Sequence, residues 1–139
     1  MRLQILAFQG VVVFLYIVVF AEASLAKVVE CKTPDWFREQ FAKTWLARLA
    51  PVALLWWTIV LLELTLAVWF GLAAASFFGV LGGQPQWWIG WGTLGAAAFF
   101  GVLCFGQRVS FDFMGAANSF FYGVLSLLLW AIVFNAPQY

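Results

Sequence analysis

The sequence predicts an all-α integral membrane protein, a bundle of four membrane-spanning helices with an amphipathic interfacial helix between spans one and two. The 139 residues are 65% hydrophobic and only 9% charged, whereas soluble domains carry about 25% charged residues. Apolar runs recur that are long enough to cross a hydrocarbon core of about 30 Å. The length fits one unit, so residues 1–139 are predicted to form a single transmembrane domain.

Residues 3–23 are predicted to form span one. The run follows Arg2 and ends in small residues, a pattern shared with secretory signal peptides, and we interpret it as a membrane span. Gln9 lies deep in this run. Its amide therefore needs a partner on another helix, since an unpaired polar group in an apolar environment is costly.

A charged stretch, residues 24–50, separates the first two spans. Thr33 as the N-cap, Pro34 at the first helical position and Asp35 in the first turn are typical of a helix start, and an amphipathic helix is predicted over 34–49. Its aromatic residues recur every fourth position. They are Phe37, Phe41 and Trp45. They can face the lipid at the membrane surface, or the helix can cover the end of the bundle, and the sequence leaves both arrangements open.

Residues 52–81 are predicted to form span two, which is too long for one perpendicular crossing, so that it tilts strongly or its C-terminal part projects or bends. Glu63 lies within it, and no other charge occurs from Val52 to Gly106. Small residues also recur every fourth position, which predicts a helix-packing stripe, with a thin lipid-exposed face as the alternative. The stripe consists of Gly71, Ala75, Gly79 and Gly83.

Residues 87–105 and 113–134 are predicted to form spans three and four. Asn118 is expected to be a buried polar group of span four, and Arg108 lies in the loop between the two spans. Four spans place both termini on one side of the membrane and the charged stretch 24–50 on the other. The positive-inside rule makes that charged side cytoplasmic, although a basic residue before span one argues for the reverse.

Composition limits the chemistry that the chain can carry. Histidine is absent, which removes the commonest metal ligand and general base, so neither a metal site nor a catalytic residue is predicted. No basic run indicates nucleic-acid binding. Cys31 and Cys104 lie too far apart for a CxxC motif, and they are expected to be a disulfide or, more simply, two unpaired thiols.

Glu63 is the principal candidate for a site, because a carboxylate at mid-bilayer is rare and usually faces a partner, a cavity or a ligand. Lys27 and Arg108 are the candidate cationic partners, and Gln9 and Asn118 are neutral ones. Two interpretations remain open. Glu63 binds a ligand or proton, for instance a quinone or a lipid head group, or it pins helix two to helix one.

Residues 15–72 resemble the DoxX-like family of small four-helix membrane proteins. The matching features are Lys27 in Ala-Ser-Leu-Ala-Lys at the end of span one, Trp36-Phe37 in the linker, and Glu63 in Leu-Glu-Leu, followed by Gly71. Val28 stands where the family usually has leucine. The resemblance implies that Lys27 and Glu63 occupy recurrent family positions. Relatives of this type include a membrane subunit of a thiosulfate:quinone oxidoreductase.

These observations predict a non-catalytic accessory subunit of a larger bioenergetic or redox membrane complex. It would have no intrinsic cofactor and would contact lipid, quinone or pigment through its aromatic surface, which includes 9 Trp and 16 Phe. Its expected partners are membrane lipids and other integral membrane subunits, and its expected location is the bacterial inner membrane. The alternative function is a quinone-linked oxidoreductase membrane subunit, as the DoxX-like resemblance implies.

Overall fold

The computed structural model describes residues 2–135, which fold into helices joined by short turns. Four of these helices are long and apolar enough to cross a membrane. The protein is therefore a multi-pass integral membrane protein, and the predicted all-α four-helix architecture is confirmed. The helices are α1 (Arg2–Glu30), α2 (Asp35–Ala42), α3 (Leu46–Leu49), α4 (Val52–Phe77), α5 (Pro85–Val109) and α6 (Phe113–Asn135).

The long helices pack in chain order, α1 on α4, α4 on α5 and α5 on α6. Their shared core contains Phe20, Phe70, Ile89 and Val133, each at most 1% exposed. Helices α1 and α6, at the two ends of this row, also meet: the Tyr16 hydroxyl of α1 lies 2.6 Å from Ser126 Oγ of α6. The two outermost helices thus approach each other at mid-span.

Helix α1 continues seven residues beyond the predicted end at residue 23 and stops at Glu30. Cys31 follows with a positive φ of 53°, and its N–H donates to the Lys27 carbonyl oxygen at 3.3 Å. A left-handed residue that closes the last turn is a common helix ending. Lys27 is therefore held on the last turn of a helix rather than on a loop.

Helix α4 ends at Phe77, before the end predicted at residue 81. The remaining apolar residues form a turn, in which Gly79 has a φ of 75° and Gly83 a φ of 108°. Glycine adopts such positive-φ conformations without the steric cost that a Cβ imposes. The excess length of this apolar run is therefore part of the connection to α5.

Within residues 2–135, the predicted packing stripe forms no interface with another helix. Gly71 is exposed and a Cβ there would meet nothing within 4 Å, Gly79 and Gly83 lie beyond the end of α4, and Ala75 is half-buried. The buried face of α4 passes through Phe70 and Ala73 instead. One residue corresponds to about 100° of rotation on a helix, so Gly71 points away from that face.

Close helix approach occurs on α5. A Cβ at Gly92 would lie 2.9 Å from the Phe70 ring, and a Cβ at Gly90 would lie 2.9 Å from the Phe134 ring. These glycines accept large aromatic side chains from α4 and α6. The small residues that matter for packing therefore lie on the helix between α4 and α6.

The amphipathic segment forms two helices instead of one over 34–49. The break follows Ala42, and the carbonyl oxygen of Phe41 in the last turn of α2 accepts both the Thr44 N–H at 3.0 Å and the Thr44 hydroxyl at 2.7 Å. Thr33 is not the predicted cap: Pro34 occupies the N-cap position without a side-chain hydrogen bond, and Thr33 is buried.

The aromatic face of α2 covers the end of the bundle. Phe37 and Phe41 are 4% and 7% exposed and pack with Trp56 and Val60 of α4. Trp45, in the turn after α2, is 50% exposed. Of the two arrangements that the sequence left open, these contacts favour the helix as a cover for the bundle.

Candidate functional site

Lys27 and Glu63 form an ion pair across the interface of α1 and α4. The Lys27 ammonium lies 2.5 Å from Glu63 Oε1 and 2.6 Å from Oε2, so it donates to both carboxylate oxygens. The Lys27 side chain is 23% exposed and the Glu63 side chain 6%. Among the described side chains this is the one ion pair, and it joins two of the residues that the sequence singled out.

Local structure explains why the two side chains meet. Glu63 lies on the buried face of α4, one and two turns beyond Val60 and Trp56. Lys27 lies on the last turn of α1, and a long apolar stem allows a lysine ammonium to reach a polar partner from there. The ammonium also lies 5.6 Å from the centroid of the Trp56 ring, at a distance typical of cation–π contacts.

The ion pair compensates the charge of a carboxylate that would otherwise be costly within the membrane. Both Glu63 oxygens are occupied by Lys27, which favours a carboxylate that fixes α1 against α4. Within residues 2–135, no group of three or more Cys, Asp and Glu side chains could hold a metal ion. Cys31 and Cys104 are both free thiols.

The other predicted site residues do not join the pair. Arg108 is exposed on the last turn of α5, where its guanidinium lies 4.9 Å from the centroid of the Phe113 ring. Gln9 is buried in α1, at 6% exposure. Asn118 is exposed rather than buried. Its neighbour Ser119 faces α5 and is hydrogen bonded to the side-chain amide of Gln107 at 2.6 Å.

A lateral cavity of about 380 Å³ lies between α1, α5 and α6. Its walls are largely apolar, and three of its residues carry hydroxyl groups. The lining residues are Leu15, Tyr16, Val19, Phe100, Tyr122, Leu125, Ser126 and Leu129. Sequence reasoning missed this cavity. The available signal was a tyrosine and a serine in the middle of two otherwise apolar spans.

One assignment of the hydroxyl hydrogens satisfies both hydrogen bonds at the cavity. Ser126 Oγ donates to the Tyr122 carbonyl oxygen at 2.8 Å, which uses the single hydroxyl hydrogen of Ser126. The Tyr16 hydroxyl lies 2.6 Å from Ser126 Oγ, and both contacts are satisfied together only when Tyr16 donates, so we assign the hydrogen of that contact to Tyr16. The Tyr16 ring stacks on Phe70 with a centroid distance of 4.7 Å, which fixes the position of its oxygen.

Comparison of the chain with family models, with curated proteins and with solved structures finds no match. Function is therefore inferred from the ion pair, the cavity and the outer surface.

Proposed function

We propose that the protein is a non-catalytic accessory subunit of a larger bioenergetic or redox membrane complex. It contributes helices to the assembly and a contact surface for lipid, quinone or pigment. The proposal rests on the exposed outer face of α6. Of the four spans, α6 is the least buried within the protein. Phe120, Phe121 and Leu128 on this face are 60%, 64% and 54% exposed.

Two further features support a subunit role. Aromatic side chains are enriched at the contact surfaces of proteins, and this chain presents many of them outside its own core. The partly exposed Lys27 and the buried Glu63 neutralise each other, which leaves little polar chemistry for an independent reaction. The short segment of α2 and α3 is the main extramembrane structure between α1 and α4.

The same proposal includes a location. Arg38, Lys43 and Arg48 are exposed on the segment that contains α2 and α3, and the positive-inside rule places this segment in the cytoplasm. We propose the bacterial inner membrane as the location, and a cytoplasmic segment of α2 and α3 puts both ends of the described chain on the outer side.

The test is the size and composition of the native assembly after gentle solubilisation. We expect the wild-type chain to migrate with other integral membrane proteins, and a Phe120→Ala/Phe121→Ala variant to lose them while its melting temperature is unchanged. Leu61→Ala/Val68→Ala alters an equally exposed face of α4 and is the matched control. A monodisperse free monomer from native membranes would reject the proposal.

A second candidate function is a DoxX-like, quinone-linked oxidoreductase membrane subunit. The observation that favours it is the partial exposure of Lys27, 23% at the side chain, which leaves a third N–H of its ammonium available to a quinone oxygen. Quinone-analogue reduction by the native assembly should then fall strongly in Glu63→Gln. An unchanged rate in that variant, with normal assembly, would reject this candidate.

A further inference from the structure

The cavity between α1 and α6 lies at the depth of the hydrocarbon core. Tyr16 is about 21 Å along α1 and Ser126 about 20 Å along α6, close to the middle of each span. Leu15, Val19 and Leu125, at its walls, are 54%, 49% and 53% exposed, so the cavity opens sideways towards the lipid. Any molecule that fills it must enter from the membrane.

We infer that this cavity binds an uncharged, membrane-dissolved molecule with a hydrocarbon body and a hydroxyl group, and that the hydroxyl donates a hydrogen bond to the Tyr16 oxygen. In the assignment that satisfies both contacts, the Tyr16 hydrogen points to Ser126 Oγ and the Ser126 hydrogen to the Tyr122 carbonyl oxygen. A phenolic oxygen that donates can still accept. The polar part of the cavity floor can therefore accept a hydrogen bond but has no hydrogen left to donate.

The cavity fits this class of ligand better than the alternatives. Its volume of about 380 Å³ lies within the range of ordinary small-molecule sites, roughly 300–1,000 Å³. No charged side chain lines it, so a phosphate or carboxylate group would be unpaired. Tyr122 lies at the open side, at 53% exposure, and is the one lining side chain whose hydroxyl could still donate.

This inference goes beyond the proposed accessory role, since it concerns the chain alone and requires no partner subunit. The purified protein in phosphatidylcholine nanodiscs is labelled with a diazirine derivative of 1-hexadecanol, and the labelled residues are mapped by mass spectrometry. We expect labels on the cavity-lining residues of α1 and α6. Unlabelled 1-hexadecanol should compete about three- to tenfold more strongly than hexadecyl methyl ether, as one hydrogen bond allows.

Two variants separate the hydrogen bond from the shape of the cavity. Tyr16→Phe/Ser126→Ala removes both floor hydroxyls and keeps the ring that stacks on Phe70, so the alcohol and the ether should compete equally while labelling persists. The matched control Tyr122→Phe removes the hydroxyl at the open side and should keep the preference. Melting temperatures of both variants verify that they fold.

Three results would overturn the inference: labelling that is not enriched at the cavity, equal competition by alcohol and ether in the wild type, or a preference that survives in the double variant. A chain that binds the alcohol but is a free monomer in native membranes would reject the accessory role and leave this inference intact. The two proposals can therefore fail separately.

Discussion

Lys27 and Glu63, which are 36 positions apart in the sequence, are joined by an ammonium that lies 2.5 and 2.6 Å from the two carboxylate oxygens. The contact links the last turn of α1 to the middle of α4. Replacing a buried ion pair by apolar groups is often neutral, whereas removal of one partner leaves an uncompensated charge. A substitution of Lys27 or Glu63 alone should therefore destabilise the α1–α4 interface more than a substitution of both residues.

Lys27→Met should destabilise the protein by about 2–3 kcal/mol, somewhat below the usual cost of breaking a fully buried pair because Lys27 is partly exposed. Lys27→Met/Glu63→Leu should recover most of that loss, since no charge is then left unpaired. Thermal or denaturant unfolding in a mild detergent measures both variants. A double variant as unstable as the single one would mean that packing, not charge, limits stability here.

Two substitutions on the exposed surface control for the loss of charge itself. Lys32→Met and Glu39→Gln remove one charge each from exposed side chains that belong to no ion pair among the described residues. Each should change stability by less than about 0.5 kcal/mol. A larger effect would show that net charge, rather than the Lys27–Glu63 contact, controls unfolding.

Gly92→Ala should destabilise the α4–α5 interface by about 1–3 kcal/mol, the usual cost of overpacking. Its new methyl group would lie 2.9 Å from the Phe70 ring and 3.0 Å from the Trp69 ring. Gly71→Ala is the matched control, because a Cβ there meets nothing within 4 Å. That variant should be neutral or slightly stabilised, since alanine favours helix more than glycine does. Equal melting temperatures for the two variants would contradict the packing described.

The sequence predicted the four spans well because each is set by a local property, the length and hydropathy of an apolar run. It also singled out Glu63, because a charge within such a run is rare, and it named Lys27, just beyond span one, as one of two candidate cationic partners. The error at Gly71 has a different origin. A period of four residues identifies one face of a helix, but nothing local tells which face meets the neighbouring helix.

The cavity between α1 and α6 could not be predicted for the same reason. Tyr16 and Ser126 are 110 positions apart, and each looks ordinary within its own span. Their contact depends on the order in which α4 and α5 pack between the outer helices. The break between α2 and α3 could not be predicted either. Thr44 ends α2 with a hydrogen bond from its hydroxyl to the Phe41 carbonyl oxygen, and the sequence does not distinguish such a threonine from one inside a longer helix.

Phe37→Ala should release α2 from the end of the bundle. Its side chain is 4% exposed and packs 4.9 Å from the Trp56 ring, centroid to centroid, so its truncation should cost about 3 kcal/mol. Limited trypsin digestion should then cut faster at Arg38, Lys43 and Arg48. Trp36→Ala, at a neighbouring position that is 59% exposed, should digest nearly as slowly as the wild type. If Phe37→Ala were digested as slowly as Trp36→Ala, the Phe37 side chain would not be the contact that holds α2 against the bundle.

Asp112→Ala should weaken the start of α6. Asp112 Oδ1 accepts the Gly115 N–H at 2.9 Å, which satisfies one of the free amides at the helix start, and loss of such a cap costs about 1 kcal/mol. Asp112→Asn should keep most of the stability, because an asparagine side-chain oxygen caps comparably well. Hydrogen exchange of the amides of residues 113–116 localises the effect: protection should fall in the alanine variant and persist in the asparagine variant. Equal exchange in the two would show that the carboxylate contact does not hold this turn.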